Sequence, residues 1–122
     1  MLDKSIRNYE AGVWAEGKAY FDVAISRYYY CLYQRMIYIS TNKGFNITSS
    51  NGYGCHKETI DLFIGEIQSQ LTNQQVGYLS GLHRLRSKRN NADYRPIQYN
   101  GQKFNIEFKQ TFTQIYNLLN TL

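Results

Sequence analysis

Apolar residues recur at steps of three and four along most of the chain, which is the spacing of one face of an α-helix. In the segment 19–41 these positions are Phe21, Ile25, Tyr28, Leu32, Met36 and Ile39. A second apolar face of the same segment carries Tyr30, Tyr33 and Ile37. Because a helix with more than one apolar face is contacted from several sides, this segment is predicted to be the central helix of a bundle.

Four other segments have the same periodicity. Helices are predicted over residues 2–18, from Cys55 or His56 onward, after Thr72, and near the end of the chain. Thr72 followed by Gln75 is typical of a capping box at a helix start. The last helix carries a seam of alternating four- and three-residue steps, at Phe108, Phe112, Ile115, Leu119 and Leu122. No segment alternates with a period of two over a strand's length. The sequence therefore predicts one all-α domain over 1–122, an antiparallel bundle of four to five helices.

The apolar stripe of the fourth helix leads to an arginine. Its positions are Tyr78, Leu82 and Leu85, followed at the same spacing by Arg89 and Ala92. A buried charge is unfavourable by several kcal/mol unless it is paired. Arg89 would be satisfied by an internal acid such as Asp22 or Asp93, by extending to the edge of the bundle, or by an anion in a cleft. The sequence leaves these three arrangements open.

The positive charge of the chain is concentrated near this arginine. The net charge is +5. Five basic residues stand against the single acid Asp93 in the segment 83–95, namely Arg84, Arg86, Lys88, Arg89 and Arg95. A focused basic patch suits a phosphate-bearing partner such as RNA or a nucleotide better than diffuse charge does. The 12 tyrosines suit packed helices, dimer interfaces and base-stacking surfaces alike.

Other features narrow the chemistry. Cys31 and Cys55 form no C-x-x-C pair and have no Cys or His cluster around them, which favours reduced thiols in the cytoplasm and predicts no metal site. No cofactor is expected either. No apolar run approaches the length of a membrane span, and the first residues lack the apolar core of a signal peptide, so no membrane association is expected.

Three segments together resemble a known family. "AISRYYYCLYQRMIYIS", "CHKETIDLF" and "LHRLRSKRNNADYRP", in this order and spacing between about Asp22 and Pro96, resemble the small stand-alone prokaryotic HEPN domains (higher eukaryotes and prokaryotes nucleotide-binding). The resemblance implies a helical bundle that forms a homodimer with a composite cleft between the two copies. It also implies a role in toxin–antitoxin, CRISPR-associated or phage-defence systems, often beside a nucleotidyltransferase-type antitoxin.

The resemblance also implies candidate catalytic residues. Catalytic HEPN domains carry an arginine, then a polar residue, and a histidine four to six positions beyond the arginine. Arg89 and Asn90 match the start of this pattern, and Tyr94 stands at the shortest histidine spacing. In the family mechanism RNA is cut without metal, with arginine stabilising the phosphorane and histidine transferring a proton. Tyrosine, whose unperturbed pKa is about 10, is a poor base at neutral pH unless positive neighbours such as Arg95 lower that value.

The position of Tyr94 depends on where the fourth helix ends. Tyr94 follows Arg89 by five residues, a spacing that places two side chains on different faces of an uninterrupted helix. Asn90 and Asn91 are poor helix-interior residues, and the residue before Pro96 disfavours helical backbone. We therefore predict a bend or helix end at the asparagine pair, which would bring Tyr94 and Arg89 to one cleft.

Further residues are candidates for contacts to RNA phosphate: Arg86, Lys88, Arg95, Arg27 and His56. Arg27 has the alternative of pairing with Asp22, and His56 the alternative of a capping or surface position. His83 should face away from Arg89 and lie on the surface.

Two functions remain open from the sequence. The first is an RNA-directed HEPN effector, active as a metal-independent endoribonuclease toxin or phage-defence protein. In this case Tyr94 is also a candidate target for modification by a partner nucleotidyltransferase. The alternative is a non-catalytic nucleotide- or RNA-binding or assembly subunit that has lost the catalytic histidine.

Overall fold

Five packed helices make up the part of the chain that the computed structural model describes, residues 1–48 and 56–122. The first four are α1 (Leu2–Gly17), α2 (Phe21–Lys43), α3 (His56–Ile67) and α4 (Asn73–Tyr94). The fifth, α5, consists of three consecutive stretches, Gly101–Phe104, Asn105–Lys109 and Gln110–Leu119. The predicted all-α helical bundle is thereby confirmed. None of these helices combines the length and apolar composition needed to cross a membrane.

The second helix is central, as its apolar faces predicted, because it packs against α1, α4 and α5. It begins at Phe21 and not at residue 19. Ala19 adopts the left-handed backbone conformation with φ of 61°, and the N–H groups of Ala19 and Tyr20 bind the carbonyls of Glu16 and Ala15, both at 2.9 Å. A left-handed residue after the last turn is a common way to end a helix, and it separates α1 from α2.

The fourth helix starts as predicted and ends later. The Thr72 N–H donates to Gln75 Oε1 (2.9 Å) and the Gln75 N–H to Thr72 Oγ1 (3.2 Å), so the capping box is confirmed. The helix end expected at Asn90 and Asn91 is wrong, since α4 continues through both residues to Tyr94. Pro96 sets the end of the helix instead, because the residue before a proline disfavours helical geometry and Arg95 is extended.

The seam of the last helix forms the aromatic part of the core. Phe108, Phe112, Ile115 and Leu119 are buried, as the periodicity predicted. The rings of Phe104, Phe108, Phe112 and Tyr116 follow one another at centroid distances of 5.9, 6.1 and 5.4 Å, with interplanar angles of 19°, 12° and 19°. This column of four rings runs along α5. The stretch Asn105–Lys109 within it is a π-helical turn.

The first helix approaches the second closely at Gly12. A methyl group on Gly12 would lie 2.6 Å from the ring of Tyr28, which is fully buried. We expect Gly12→Ala to lower the free energy of unfolding by about 1–3 kcal/mol, the usual range for overpacking. Gly77, in α4, is the matched control because its methyl group would meet nothing within 4 Å. Gly77→Ala should stabilise by about 0.5–1 kcal/mol, and urea unfolding of both variants measures the contrast. Equal changes in the free energy of unfolding for the two substitutions would contradict the close approach of Gly12 to the Tyr28 ring.

Candidate functional site

Arg89 lies where α4 packs against α2, and only 9% of it is exposed. Its guanidinium carbon is 5.2 Å from the ring centre of Tyr29 and 5.3 Å from that of Tyr30. A guanidinium at this distance from an aromatic face is attracted by the ring quadrupole. The core-facing position predicted for Arg89 is therefore confirmed, and its main neighbours are two tyrosines of the central helix.

The charge of Arg89 is only loosely paired. Its Nη1 lies 3.7 Å from Oδ2 of Asp93, one turn further along the same helix. This separation exceeds hydrogen-bonding distance. The Nε atom of Arg89 is buried and has no hydrogen-bond partner within residues 1–48 and 56–122. A planar guanidinium with unused donors suits a tetrahedral anion such as phosphate, which accepts two parallel hydrogen bonds.

His56 lies against the same two tyrosines. Its Nδ1 is 2.9 Å from the hydroxyl oxygen of Tyr29. Its ring stacks on Tyr33 at 4.1 Å and stands perpendicular to Tyr30 at 6.1 Å. The first turn of α3 thus places an imidazole beside the rings that contact Arg89. We call the group of Arg89, His56, Tyr29 and Tyr30, together with Arg86, whose positive charge acts on His56 and Tyr29, the Arg89 cluster.

The electrostatics of the cluster keep His56 and Tyr29 uncharged at neutral pH. Burial, followed by the positive charges of Arg89 and Arg86, lowers the pKa of His56 below its ordinary value of 6.5. Burial raises the pKa of Tyr29, although the charge of Arg89 acts in the opposite direction. The hydrogen bond between them therefore joins a neutral imidazole and a neutral phenol. Neutral imidazole is the form that accepts a proton.

A second arginine approaches Tyr30 from α2 itself. The guanidinium carbon of Arg27 is 5.7 Å from the Tyr30 ring centre. Its Nη1 donates to Asn8 Oδ1 at 3.2 Å and its Nη2 to Ser26 Oγ at 3.5 Å, so these neutral groups replace the acidic partner considered from the sequence. A groove of about 260 Å³ extends beside it, lined by Asp22, Val23, Ser26, Arg27, Ala92 and Asp93. This groove reaches from Arg27 to the acid that faces Arg89.

The remaining candidates lie outside the cluster. Tyr94, the last residue of α4, is 79% exposed, and no contact in the described part of the chain joins it to Arg89. Lys88 donates to Glu107 of α5 at 2.8 Å. Arg95 is exposed beyond the helix end, and Asn90 is half-buried next to Arg89 in the chain. The structure therefore brings Arg27, Arg86, Arg89 and His56 towards one place, and it separates Lys88, Tyr94 and Arg95 from them.

Three tyrosines that contact His56 were not predicted as site residues, because the sequence indicated packing roles for the tyrosines of the central helix. Tyr29, Tyr30 and Tyr33 fall on adjoining faces of α2 and contact His56. The signal available in the sequence was the pairing of two patterns: tyrosines one turn apart on one helix, and Arg86 and Arg89 one turn apart on another. Neither pattern alone indicates that the two groups meet.

The metal-ligating residue types do not converge in the described residues. Within 1–48 and 56–122, no group of three or more His, Cys, Asp or Glu is placed to hold a metal ion. Cys31 is a free, buried thiol, and Cys55 lies outside the described residues. His83, expected on the surface, has a side chain that is 32% exposed, and its Nε2 pairs with Asp61 at 2.7 Å.

Comparisons with models of protein families, with curated proteins and with solved structures gave no match.

Proposed function

We propose that the protein is an RNA-directed effector of the HEPN type, whose Arg89 cluster binds an RNA phosphate and cuts RNA without a metal ion. The observation that carries this proposal is the state of Arg89. The residue is buried against two tyrosine rings, yet its nearest acid is 3.7 Å away and its Nε has no partner among the described residues. A structural arginine at this depth is normally fully paired.

Phosphate would supply a close anionic partner, which Asp93 at 3.7 Å does not. The guanidinium donors form parallel bonds to two phosphate oxygens, and the tyrosine rings hold the guanidinium plane before the ligand arrives. Arg27, which also lies against the Tyr30 ring, adds a second positive group beside the groove. Tyr30 and Tyr33 are only partly buried, and a partly exposed aromatic ring offers a face on which a base stacks. These features support RNA as the partner.

The same arrangement supports cleavage. The 2′-hydroxyl of RNA can attack the adjacent phosphorus, which places extra negative charge on the non-bridging oxygens. A guanidinium already fixed beside those oxygens stabilises that charge without reorganisation. The products are a 2′,3′-cyclic phosphate and a 5′-hydroxyl, and DNA is not cut because it lacks the nucleophile.

One observation favours the alternative, a non-catalytic RNA- or nucleotide-binding subunit. Tyr94 is 79% exposed at the end of a continuous helix, so it does not serve Arg89 in the way a family histidine would.

The proposal of a homodimer acting in the cytoplasm, restrained by a nucleotidyltransferase-type antitoxin, is supported by the sequence resemblance. The exposure of Tyr94 would make it accessible to such a partner. An AMP-sized mass increment after co-expression with a nucleotidyltransferase would support this extension, and an unchanged mass would end it.

Incubation of the purified protein with structured and single-stranded RNA in EDTA tests the main proposal. Arg89-dependent products that end in cyclic phosphate support the ribonuclease, with Arg89→Ala as the control. Uncut RNA with retained, Arg89-dependent binding supports the non-catalytic module. Absence of both binding and cleavage contradicts both functions.

Asp93 should compete with phosphate for Arg89. We expect Asp93→Asn to tighten RNA binding about two- to fivefold, because it removes a partly exposed ion pair and a negative charge from the groove. Glu66→Gln is the matched control, since it makes the same charge change at an exposed position of α3. Fluorescence anisotropy with labelled RNA at fixed salt measures both. Equal tightening by the two substitutions would show a general charge effect and no competition at Arg89.

A further inference from the structure

We infer that His56, from the first turn of α3, is the proton-transfer residue that serves Arg89, in place of a histidine on α4. This inference rests on the proposed function, because it names the group that moves the proton in the same cleavage reaction. It differs from the sequence-based assignment, in which Tyr94 holds the position of the missing histidine.

The contacts of His56 carry the inference. Both His56 and Arg89 touch the rings of Tyr29 and Tyr30, although they come from different helices. The imidazole is held by a hydrogen bond from one side and by the face of Tyr33 from another. A residue fixed in this way has the defined orientation that proton transfer needs. Tyr94 has no comparable support, since most of its side chain is in solvent.

Either tautomer of His56 is compatible with the hydrogen bond to Tyr29, and the proposed role requires one of them. When Nδ1–H donates to the Tyr29 hydroxyl oxygen, the lone pair of Nε2 is free to accept a proton. Tyr29 then acts as a positioning residue that fixes the tautomer, as carboxylates and carbonyls do for other catalytic histidines. Because burial raises the pKa of Tyr29, the phenol stays neutral and does not stabilise a charged imidazolium at rest.

The reaction can be written with one histidine. Nε2 of His56 takes the 2′-hydroxyl proton as the O2′–P bond forms, and Arg89 stabilises the charge on the non-bridging oxygens. The imidazolium then gives the same proton to the departing 5′-oxygen as the P–O5′ bond breaks. The enzyme returns to its starting state, and no oxidant, reductant or metal takes part.

The protein offers a matched control in its other histidine. His83 lies on α4 and pairs with Asp61 of α3 through Nε2 at 2.7 Å. No ring or hydrogen-bond contact within the described residues joins His83 to Tyr29, Tyr30 or Arg89. A substitution there removes an imidazole without touching the Arg89 cluster.

The test compares His56→Asn with His83→Asn. The asparagine amide can keep a hydrogen bond to Tyr29, but it cannot transfer a proton. We expect His56→Asn to bind RNA within about threefold of wild type and to cleave it about 10²–10⁴-fold more slowly, the range for loss of general acid–base catalysis. His83→Asn should cleave at the wild-type rate.

The outcomes separate this inference from the proposed function. Wild-type cleavage rates in His56→Asn overturn the role of His56 and leave the ribonuclease intact. Absence of cleavage by the wild-type protein overturns the ribonuclease, and the role of His56 with it. Slow cleavage by His56→Asn together with normal rates in His83→Asn supports both.

A second measurement does not depend on how the variant folds. NMR titration of wild-type His56, with and without a short 2′-fluoro oligouridylate that cannot be cleaved, reports its pKa directly. A bound phosphate beside the imidazole favours the charged form, so the pKa should rise on binding. An unchanged pKa at saturating ligand places the phosphate away from His56 and overturns the inference.

The pH dependence follows from the groups around the imidazole. Those facing His56 are Tyr29, Tyr30 and Tyr33 from α2, and Arg86 and Arg89 from α4. Lys57 and Glu58 are its neighbours on α3. Because the reaction starts with neutral His56, the rate at low substrate concentration should rise with pH and reach a plateau. The rise should be centred below 6.5, since the pKa of His56 is lowered. A rise centred near pH 10 would indicate a tyrosine instead.

Discussion

Replacement of Arg89 by methionine is expected to weaken RNA binding strongly and to leave the folded protein as stable as before, or more stable. Charge-assisted hydrogen bonds contribute about 1.5–3 kcal/mol each, so affinity should fall about 10- to 100-fold. Cleavage should fall by about 10²-fold or more when the developing charge loses its guanidinium. Anisotropy and gel-based cleavage assays measure these losses.

The expectation about stability has a separate reason. Arg89 is 9% exposed, with a long ion pair and an unpartnered Nε in the described part of the chain. Replacing an incompletely paired buried charge by an apolar side chain of similar length is often neutral or stabilising. A Tm that is unchanged or raised would therefore indicate that Arg89 is retained for its ligand.

Arg84→Met is the matched control, because it removes the same charge from an exposed position of α4. It should weaken RNA binding only slightly, through the general field of the protein. A large loss of stability in Arg89→Met, with RNA binding unaffected, would show that Arg89 is a structural residue and contradict the proposed site.

Phe112→Ala is expected to have the largest effect on folding. Phe112 is 1% exposed and its ring contacts Tyr9, Tyr28, Phe108 and Tyr116. It therefore joins α1, α2 and α5 at one point. Loss of a buried phenylalanine lowers the free energy of unfolding by about 3–5 kcal/mol. For a domain of this size, the Tm should fall by about 10–20 °C.

Ile106→Ala provides the comparison on the same helix. Ile106 is 53% exposed, so its replacement should change stability by no more than about 0.5 kcal/mol. Thermal unfolding followed by circular dichroism distinguishes the two. Similar decreases in Tm for both variants would mean that the packing of the aromatic rings along α5 contributes little to the stability of the fold.

The fold could be predicted from the sequence largely because its signals are local. Three- and four-residue spacing identified the helices, and the side chains of Thr72 and Gln75 marked the start of α4. The burial of Arg89 followed from extending the stripe of Leu82 and Leu85. Each of these inferences uses residues within a few turns of one another.

The candidate site was less predictable because its contacts are long-range. Tyr29 and His56 are 27 positions apart, and no periodicity within one helix tells which residues of another will meet it. Local propensity also misled at the asparagine pair. Asn90 and Asn91 disfavour helix interiors, but packing of α4 against α2 stabilises the helix past them. Tyr94 consequently lies in solvent at its end.

The π-helical turn in α5 determines where the length of this helix can change. In a regular α-helix, a four-residue step overshoots a full turn by about 40°, so rings at such steps would fan out around the axis. The wider turn at Asn105–Lys109 takes up part of this overshoot. Deleting one residue elsewhere in α5 would rotate everything that follows by about 100°. A deletion within the π-helical turn would return it to α-helical winding and rotate Phe112 by less. Among relatives, a change of one residue within α5 should therefore occur at this turn.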